Sequence, residues 1–410
     1  MDFFDDLEQR DPAVREAEQM QRLAATVHKS RKHSPYYREL FAAAPSQVSA
    51  RAALAQLPLT RKAELGALQR RALPFGDVAQ LSPPLLSQIF VSPGPLYEPG
   101  LAGTDRWRFA RALFAAGFRA GDLVQNCFAY HSTPAGAMFE AAARALGCAV
   151  IPAGPGQIEQ QLRAISDLRP SGYIGTPSFL KLILDQGCET GSDTSSLRRA
   201  LVTGEAFPPS LRAAFAEGGV VAQQCYGTAE LGLIAYESTG GEGLILDEGI
   251  VVEIVRPGTG DPLLDGEVGE VVVTLLDATY PLIRFATGDL SAILPGASPC
   301  GRTAPRLRGW LGRADQSAKV RGMFVHPAQV ATIVARTPEI LRARLVIERS
   351  DDQDVLTLEA ETTVAEAGAL TDALIATVRD VAGLRAAVRL SPSGALPNDG
   401  KVIDDRRPLA

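Results

Sequence analysis

Acidic, basic and hydroxyl side chains lie together in four glycine-containing stretches of the chain. These stretches are YGTAELG at 226–232, YPLIRFATGDL at 280–290, GRADQSAKVRG at 312–322 and LPNDGKVIDDRR at 396–407. Chemistry at a phosphate group needs this combination, because carboxylates hold a divalent cation and fixed cations stabilise the charge that builds on the non-bridging oxygens. Each stretch alone has a simpler explanation, such as a turn aspartate at Asp289 or an exposed lysine at Lys401. The functional hypothesis therefore depends on the four stretches together.

The composition and charge argue against several classes of function. The chain has 410 residues, of which 46% are hydrophobic and 21% charged, as is usual for a soluble globular enzyme. The net charge is −6 with both signs interspersed, which argues against nucleic acid and membrane surfaces as partners. Five scattered cysteines without a CxxC pair predict neither a disulfide framework nor a zinc site. The acidic, amphipathic start lacks the pattern of a signal peptide, so we expect a cytoplasmic protein.

The order of apolar segments predicts an α/β fold in which mostly parallel sheets are covered by helices. The first 75 residues have helical periodicity, and after them short apolar runs such as DLVQNCFAY, GYIGTP and RRALVTG alternate with helical segments such as QIEQQLRAISDL. This alternation is typical of βαβ units. Ligands bind such sheets at the carboxyl ends of the strands, so the loops that follow these strands are the candidate functional loops.

The second half of the chain predicts a small β subdomain and then a separate domain. Residues from about 238 to 310 read as strands joined by Gly, Pro and Asp turns. A compact α+β pattern follows, with a helix, a hairpin and a further helix. We therefore expect an N-terminal domain over residues 1–314 and a small C-terminal domain over residues 315–410, since a chain of this length exceeds one ordinary core.

The four stretches, in this order and spacing, resemble those of the adenylate-forming superfamily, and most closely its phenylacetate-CoA ligase branch. SPYYRELF at 34–41, LPLTRKAEL at 57–65 and PAGPGQIEQQL at 152–162 are also similar to that branch, so the resemblance covers nearly the whole chain. It implies a two-step reaction with ATP, Mg²⁺ and coenzyme A. A carboxylic acid attacks the α-phosphate and releases pyrophosphate, and coenzyme A then displaces AMP to give a thioester.

The resemblance also implies roles for individual residues around the nucleotide. Glu230 is similar to the glutamate that holds magnesium in the family, and Asp289 to the aspartate that accepts both ribose hydroxyls. Arg313 resembles the second ribose contact, and Lys401 the mobile catalytic lysine, whose point charge suits the α-phosphate. The remaining nucleotide contacts would be Tyr226, Gly227 and Thr228, with the backbone of Gly204, Glu205 and Ala206 lining the adenine. The alternatives are a helix N-terminal acid at Glu230 and a surface salt bridge at Arg313.

Further resemblances concern the thioester step and the acid. Asp315 is similar to the hinge about which the small domain rotates. This rotation brings in the strand that carries Lys319, Arg321 and Gly322.

The expected wall of the acid pocket is FAYHSTPAG at 128–136, opposite PAGPG. Its candidate residues are Phe128, Tyr130, His131 and Gly154. His131 has two explanations of equal weight, which are a group that orients the substrate and a satisfied histidine at a strand end.

One stretch departs from the family pattern. The usual phosphate loop has Ser, Gly, Thr, Thr, Gly and Lys in near succession, whereas VSPGPLYEPG at 91–100 retains Ser92 and Gly94, carries three prolines and has no lysine. Each proline removes a backbone donor and fixes φ, so we expect fewer phosphate contacts here. Three explanations remain open, which are a working ligase, a protein that performs only the thioester step or binds acyl-CoA made elsewhere, and a binding protein without catalysis. Adenylation onto a carrier protein and a homodimer are also compatible with the sequence.

Overall fold

The computed structural model describes residues 2–79, 81, 83–92, 96–205, 207–316, 318–320, 323–350, 353–364, 367–397 and 401–407. The helices are α1 (Pro12–His33), α2 (Pro35–Leu40), α3 (Arg51–Leu54), α4 (Lys62–Arg71), α5 (Phe109–Ala115), α6 (Ala135–Ala145), α7 (Ile158–Leu168), α8 (Pro177–Thr190), α9 (Pro209–Glu217), α10 (Pro327–Arg336) and α11 (Ala367–Ala382), with 3₁₀ turns at Asp6–Gln9, Pro83–Leu85 and Ala314–Gln316. Of the helices described here, none is both long and apolar enough to cross a membrane.

The strands belong to several sheets. They are β1 (Thr60–Arg61), β2 (Leu86–Ser92), β3 (Leu96–Leu101), β4 (Leu123–Asn126), β5 (Ala149–Pro152), β6 (Gly172–Gly175), β7 (Arg199–Val202), β8 (Val221–Thr228), β9 (Gly232–Tyr236), β10 (Leu244–Leu246), β11 (Ile250–Val255), β12 (Gly269–Leu275), β13 (Phe285–Ser291), β14 (Ile293–Leu294), β15 (Arg306–Leu307), β16 (Ala318–Val320), β17 (Met323–Val325), β18 (Ile340–Ser350), β19 (Gln353–Thr362), β20 (Ala387–Ser391) and β21 (Ile403–Asp405).

The largest sheet confirms the predicted α/β class. Its order is β14-β15-β10-β9-β8-β7-β6-β4-β5, and the run from β8 to β5 is parallel. The central strands β4, β6 and β7 are short and largely buried, as expected where helices cover both faces of a sheet. The carboxyl ends of β4, β6, β7 and β8 therefore lie along the same edge.

The segment from 238 to 310 differs from the expected single β subdomain. β11, β12 and β13 form a second sheet with β1 in the order β1-β13-β12-β11, while β10, β14 and β15 extend the large sheet. β1 comes from the helical start of the chain and pairs in parallel with β13, with Thr60 opposite Phe285. Sequence patterns identified β10, β11, β12 and β14, but the choice of sheet depends on partners that are distant in the sequence.

The C-terminal residues have a sheet and a core of their own. The sheet order is β20-β19-β18-β21, and α10 and α11 pack with it. Its buried cluster includes Val320, Leu345, Leu358, Leu374 and Ile403 and draws its described members from residues 318–403. The boundary at residue 315 stays a prediction.

The described parts of the proline-rich stretch lie in two paired strands, β2 and β3, called the hairpin below. β2 and β3 pair antiparallel, with Val91 opposite Tyr97 and Phe90 opposite Glu98. Among the described strands, β2 and β3 pair only with each other, so Pro99 lies on a strand without a second neighbour, where a missing N–H is tolerated. Side chains alternate along β3, so Leu96 and Glu98 point inward and Tyr97 outward.

Candidate active site

Asp289 is the centre of a hydrogen-bonded group on β13. Its Oδ2 accepts the Tyr226 hydroxyl at 2.7 Å, and its Oδ1 accepts Trp310 Nε1 at 3.1 Å and Arg313 Nη1 at 3.3 Å. Burial and the neighbouring Asp289 carboxylate raise the pKa of Tyr226, so its hydroxyl stays a donor. The structure thus brings together three predicted nucleotide residues and adds Trp310.

The backbone beside Asp289 requires glycine. Gly288 has φ of +77°, and a Cβ there would lie 2.6 Å from Arg313 Nη2. The left-handed φ and the close guanidinium both disfavour any side chain. Gly288 therefore allows Arg313 to lie against β13 and reach Asp289.

Glu230 lies in the turn between β8 and β9, so its neighbourhood is a strand-to-strand turn rather than a helix N-terminus. Gly232 closes the turn with φ of +72°, and a Cβ there would lie 2.7 Å from the Trp107 carbonyl oxygen. The Glu230 side chain is fully buried and forms an ion pair with Lys62, with Nζ 2.9 Å from Oε1. That contact lacks hydrogen-bond geometry, and neither Glu230 carboxylate oxygen has a hydrogen-bond partner among the described residues.

Glu98 is a second buried carboxylate near Glu230. It is 2% exposed, and neither of its oxygens has a hydrogen-bond partner in the described part of the chain. Burial raises the pKa of Glu98 to about 8, with a further rise from the charge of Glu230, while Lys62 and the Ser92 hydroxyl lower it. Burial and the charges of Glu98 and Glu230 also raise the pKa of Tyr280, which places its phenol near both carboxylates.

Helix α4 joins the hairpin to this acidic pair. Gln69 Nε2 donates to the Tyr97 carbonyl at 2.9 Å, and the Tyr97 N–H donates to Gln69 Oε1 at 2.8 Å. Lys62, at the start of the same helix, contacts Glu230. A single helix therefore fixes β3 beside the Glu230 turn.

Asn126, at the end of β4, organises the predicted acid pocket. Its carbonyl accepts the N–H groups of Ala153 and Gly154, and its side chain donates to the Tyr130 hydroxyl and the Gly136 carbonyl, each at 2.8 Å. Gly136 lets the loop fold tightly, because a Cβ there would lie 2.7 Å from the Ala129 oxygen and 2.9 Å from the Tyr130 ring. The loops after β4 and β5, expected to face each other, are thus joined through one residue, which uses its carbonyl for one loop and its amide side chain for the other.

The aromatic side chains of this pocket differ in their surroundings. Phe128 stacks on Phe139 with centroids 4.8 Å apart. Burial, with a contribution from Glu140, raises the pKa of Tyr130. His131 is exposed and precedes Ser132, whose φ is +60° and whose carbonyl accepts the Val91 N–H at 2.7 Å. The acid loop therefore contacts β2 of the hairpin directly.

Lys401 lies two residues before β21 of the C-terminal sheet. Its Nζ donates to Asp404 Oδ1 at 2.9 Å, and its carbonyl accepts Arg344 Nε at 3.1 Å. Gln316 Oε1 accepts the N–H groups of Val402, at 2.7 Å, and Ile403, at 3.3 Å. The 3₁₀ turn around residue 315 is thus tied to the strand that follows Lys401.

Comparison with known proteins identifies the family. The chain is 31% identical over 363 residues to the phenylacetate-coenzyme A ligase of Aromatoleum evansii, which covers 84% of this chain and 80% of the relative. The chain belongs to the phenylacetate-coenzyme A ligase family. The family member from Thermus thermophilus is 30% identical over 420 residues, and the match covers 93% of this chain and 92% of the relative. Residues 114–274 also match the family described as AMP-binding enzyme. The resemblance seen in the sequence is confirmed.

Solved structures agree on the fold. A crystal structure of 2-hydroxyisobutyryl-CoA ligase in the postadenylation state with 2-HIB-AMP has a TM-score of 0.79 at 24% identity, and covers 97% of this chain and 91% of that chain. An open conformation of the same ligase with 2-HIB-AMP and CoA has a TM-score of 0.79 at 24% identity. The match covers 97% of this chain and 93% of that chain. At this identity the likeness shows the α/β fold alone.

Several residues assigned through the family resemblance lie partly or wholly outside the described structure. Gly94, Ala206, Arg321 and Gly322 are outside the described residues, as are the side chains of Asp315 and Lys319. Of the adenine-lining segment, Gly204 has φ of +86° and Glu205 is exposed. The nucleotide roles of Gly227 and Thr228 stay predictions; Thr228 Oγ1 accepts the Leu231 N–H within the Glu230 turn.

Sequence reasoning did not assign roles to four residues that the structure places at the site. These are Lys62, Glu98, Asn126 and Trp310. Lys62 lies in the family-like stretch LPLTRKAEL, and Asn126 is a polar residue at the end of an apolar strand, which is a usable signal in a parallel sheet. Glu98 and Trp310 carry no such signal, because their partners Glu230 and Asp289 are joined to them only by folding.

Proposed function

We propose that this family member is an AMP-forming acid-CoA ligase that activates an aryl or other hydrophobic carboxylic acid with ATP and transfers it to coenzyme A. The observation that carries the proposal is the arrangement at the end of β8. Tyr226 binds Asp289 and Arg313 lies beside it, while Glu230 is buried four residues later. One strand end thus presents groups suited to a ribose and to a metal-bound phosphate.

The proposed reaction has two steps. A carboxylate oxygen of the acid attacks the α-phosphorus of ATP, an O–P bond forms, and the bond to pyrophosphate breaks. The thiolate sulfur of coenzyme A then attacks the acyl carbon, a C–S bond forms, and AMP leaves. Asp289 accepts hydrogen bonds from the ribose hydroxyls, and Lys401 stabilises the charge on the α-phosphate after rotation of the C-terminal domain.

Glu230 fits the role of a magnesium ligand in this proposal. A carboxylate is the ligand that Mg²⁺ prefers, and the buried oxygens of Glu230 have no hydrogen-bond partner among the described residues. The cation would neutralise charge on the phosphate oxygens.

The acid would enter between the loops after β4 and β5. Phe128 and Tyr130 offer aromatic surface there, and Gly154 and Gly156 leave open space where a Cβ would stand. An apolar ring packs well against such surface, which supports an aryl acid. His131, being exposed, would act at the mouth of the pocket.

The thioester step would use the C-terminal domain, beginning at the hinge Asp315. Lys319, Arg321 and Gly322 would then approach the pantetheine arm, and Gln316 would carry the Lys401 segment along with the turn. A homodimer and a cytoplasmic location remain part of the proposal.

One observation favours a second candidate, a protein on this fold that binds acyl-CoA or nucleotide without adenylation. Strand β3, beside the prolines, carries an inward acid, Glu98, which adds negative charge on the proposed phosphate side whenever it is ionised. Like charges repel, so this candidate predicts binding without turnover.

Pyrophosphate release from ATP and Mg²⁺ tests the proposal. A panel of aryl and aliphatic acids is assayed with and without coenzyme A, and acyl-CoA is identified by mass spectrometry. Acid-dependent release that falls by orders of magnitude in Lys401→Ala, but not in the exposed control Lys181→Ala, is the expected result. If the protein binds AMP or acyl-CoA but releases no pyrophosphate with any acid, the second candidate, a non-adenylating binding protein, is correct. Release without acyl-CoA would indicate a carrier-protein acceptor.

A further inference from the structure

Two buried carboxylates, Glu98 and Glu230, interact electrostatically with each other and with one partly exposed lysine, Lys62. Glu98 is 2% exposed and the side chain of Glu230 is fully buried. None of their four oxygens has a hydrogen-bond partner among the described residues. A buried carboxylate without partners is strongly unfavourable, so such groups are normally paired, protonated or bound to a metal.

Lys62 balances only part of this charge. Its Nζ is 2.9 Å from Glu230 Oε1, and 42% of the Lys62 side chain is exposed. With both carboxylates ionised, the group of three carries a net charge of −1. A further cation would offset this excess negative charge, and burial together with the charge of Glu230 raises the pKa of Glu98 in spite of Lys62.

The surrounding atoms favour a hard cation as the missing charge. The Ser92 hydroxyl is buried and lies near Glu98, and the Tyr280 hydroxyl is buried without a hydrogen-bond partner in the described structure. Carboxylate and hydroxyl oxygens suit Mg²⁺, Mn²⁺ and Ca²⁺ rather than softer metals.

Rigid elements hold the two carboxylates. The paired strands β2 and β3 direct Glu98 inward, and the Gln69 amide clamps the adjacent Tyr97 backbone. Glu230 lies in the tight turn closed by Gly232. Side chains on such supports need little reorganisation to bind an ion.

We propose that Glu98 and Glu230 together bind one divalent cation in the absence of nucleotide. The inference rests on the proposed function for the role of Glu230 and adds a second ligand from the proline-rich hairpin. Bound there, the cation supplies the positive charge that VSPGPLYEPG lacks for want of a lysine. A chain with Glu230 alone would need the phosphates of ATP to retain the metal.

Mn²⁺ binding to the full-length, nucleotide-free protein tests this inference. Electron paramagnetic resonance counts free Mn²⁺ in a titration at pH 8, and Mg²⁺ is added as a competitor. We expect one Mn²⁺ per chain, displaced by Mg²⁺, and roughly tenfold or greater weakening in both Glu98→Gln and Glu230→Gln. Glu64→Gln is the matched control, because it removes one carboxylate charge at an exposed position of α4 and leaves binding unchanged.

The outcomes separate this inference from the proposed function. Wild-type affinity in Glu98→Gln, or no Mn²⁺ bound by the wild type without nucleotide, overturns the two-carboxylate site, even if acid-dependent pyrophosphate release is normal. Mn²⁺ binding lost in both variants supports the site, even if no acid is activated. Thermal unfolding in EDTA verifies that each variant is folded, and both substitutions preserve side-chain shape.

Discussion

Tyr226 Oη lies 2.7 Å from Asp289 Oδ2 and donates to it, so a partly buried phenol fixes the carboxylate proposed to bind ribose. Trp310 and Arg313 occupy the other oxygen. A carboxylate accepts about four hydrogen bonds, so Oδ2 retains capacity for a ribose hydroxyl. Tyr226 therefore orients Asp289 without blocking it.

Tyr226→Phe should raise the KM for ATP roughly tenfold, because a hydrogen bond to a charged group is lost and Asp289 is freed to rotate. The value of kcat should change less. Steady-state kinetics with varied ATP measures this split. Tyr236→Phe is the matched control, since it also removes a tyrosine hydroxyl that donates to a carboxylate, that of Glu8. An equal rise in KM in both variants would contradict a positioning role.

Trp310 should report nucleotide binding through its fluorescence. It is one of two tryptophans, is 43% exposed, and donates its indole N–H to Asp289. Ribose hydroxyls at Asp289 would change that hydrogen bond and the emission. An AMP titration should alter wild-type emission, and Trp310→Phe should abolish the change while still binding AMP by calorimetry. If Trp310→Phe, in which only Trp107 remains, shows the same emission change, Trp310 does not report the nucleotide.

Metal-free protein should become less stable as the pH rises from 5 to 8. The pKa of Glu98 is raised from 4.5 to about 8, chiefly by burial, so the folded state holds this proton more tightly than the unfolded state. The stabilisation is complete below about pH 4.5 and is lost as the pH rises through 8. Melting temperatures in EDTA should fall over this range in the wild type and much less in Glu98→Gln. If the melting temperature falls equally with pH in the wild type and in Glu98→Gln, the pKa of Glu98 is not raised.

Gly136→Ala should weaken binding of the acid while leaving ATP binding unchanged. The added methyl group would lie 2.7 Å from the Ala129 oxygen and 2.9 Å from the Tyr130 ring, so the loop must shift. We expect the KM for the acid to rise at least severalfold, measured by pyrophosphate release. Gly368→Ala, in α11 with no atom near its Cβ, is the control. An unchanged KM for the acid would place the pocket elsewhere.

Local patterns predicted much of the fold. The alternation of apolar runs and helical segments identified β4 to β8 with their helices, and the family-like stretches pointed to Glu230, Asp289 and Arg313. These features depend on neighbours in the sequence. Periodicity does not specify which sheet a strand joins, and so β10, β14 and β15 were expected in a separate subdomain.

The unpredicted part of the site consists of contacts between distant segments. Glu98, Lys62 and Glu230 come from β3, α4 and the β8–β9 turn. The sequence showed that the proline-rich stretch lacks a lysine, but the neighbours of Glu98 follow from the register of β2 with β3. Only the folded chain shows that its carboxylate is buried beside Glu230.

The hydrogen bond from the Val91 N–H to the Ser132 carbonyl has a thermodynamic consequence. It joins the hairpin, proposed to lie on the phosphate side, to the loop proposed to face the acid, so ordering of one segment contributes to ordering of the other. Occupancy of these two proposed subsites should then be linked by a coupling free energy. Whatever factor the acid applies to the affinity for nucleotide, nucleotide must apply to the affinity for the acid.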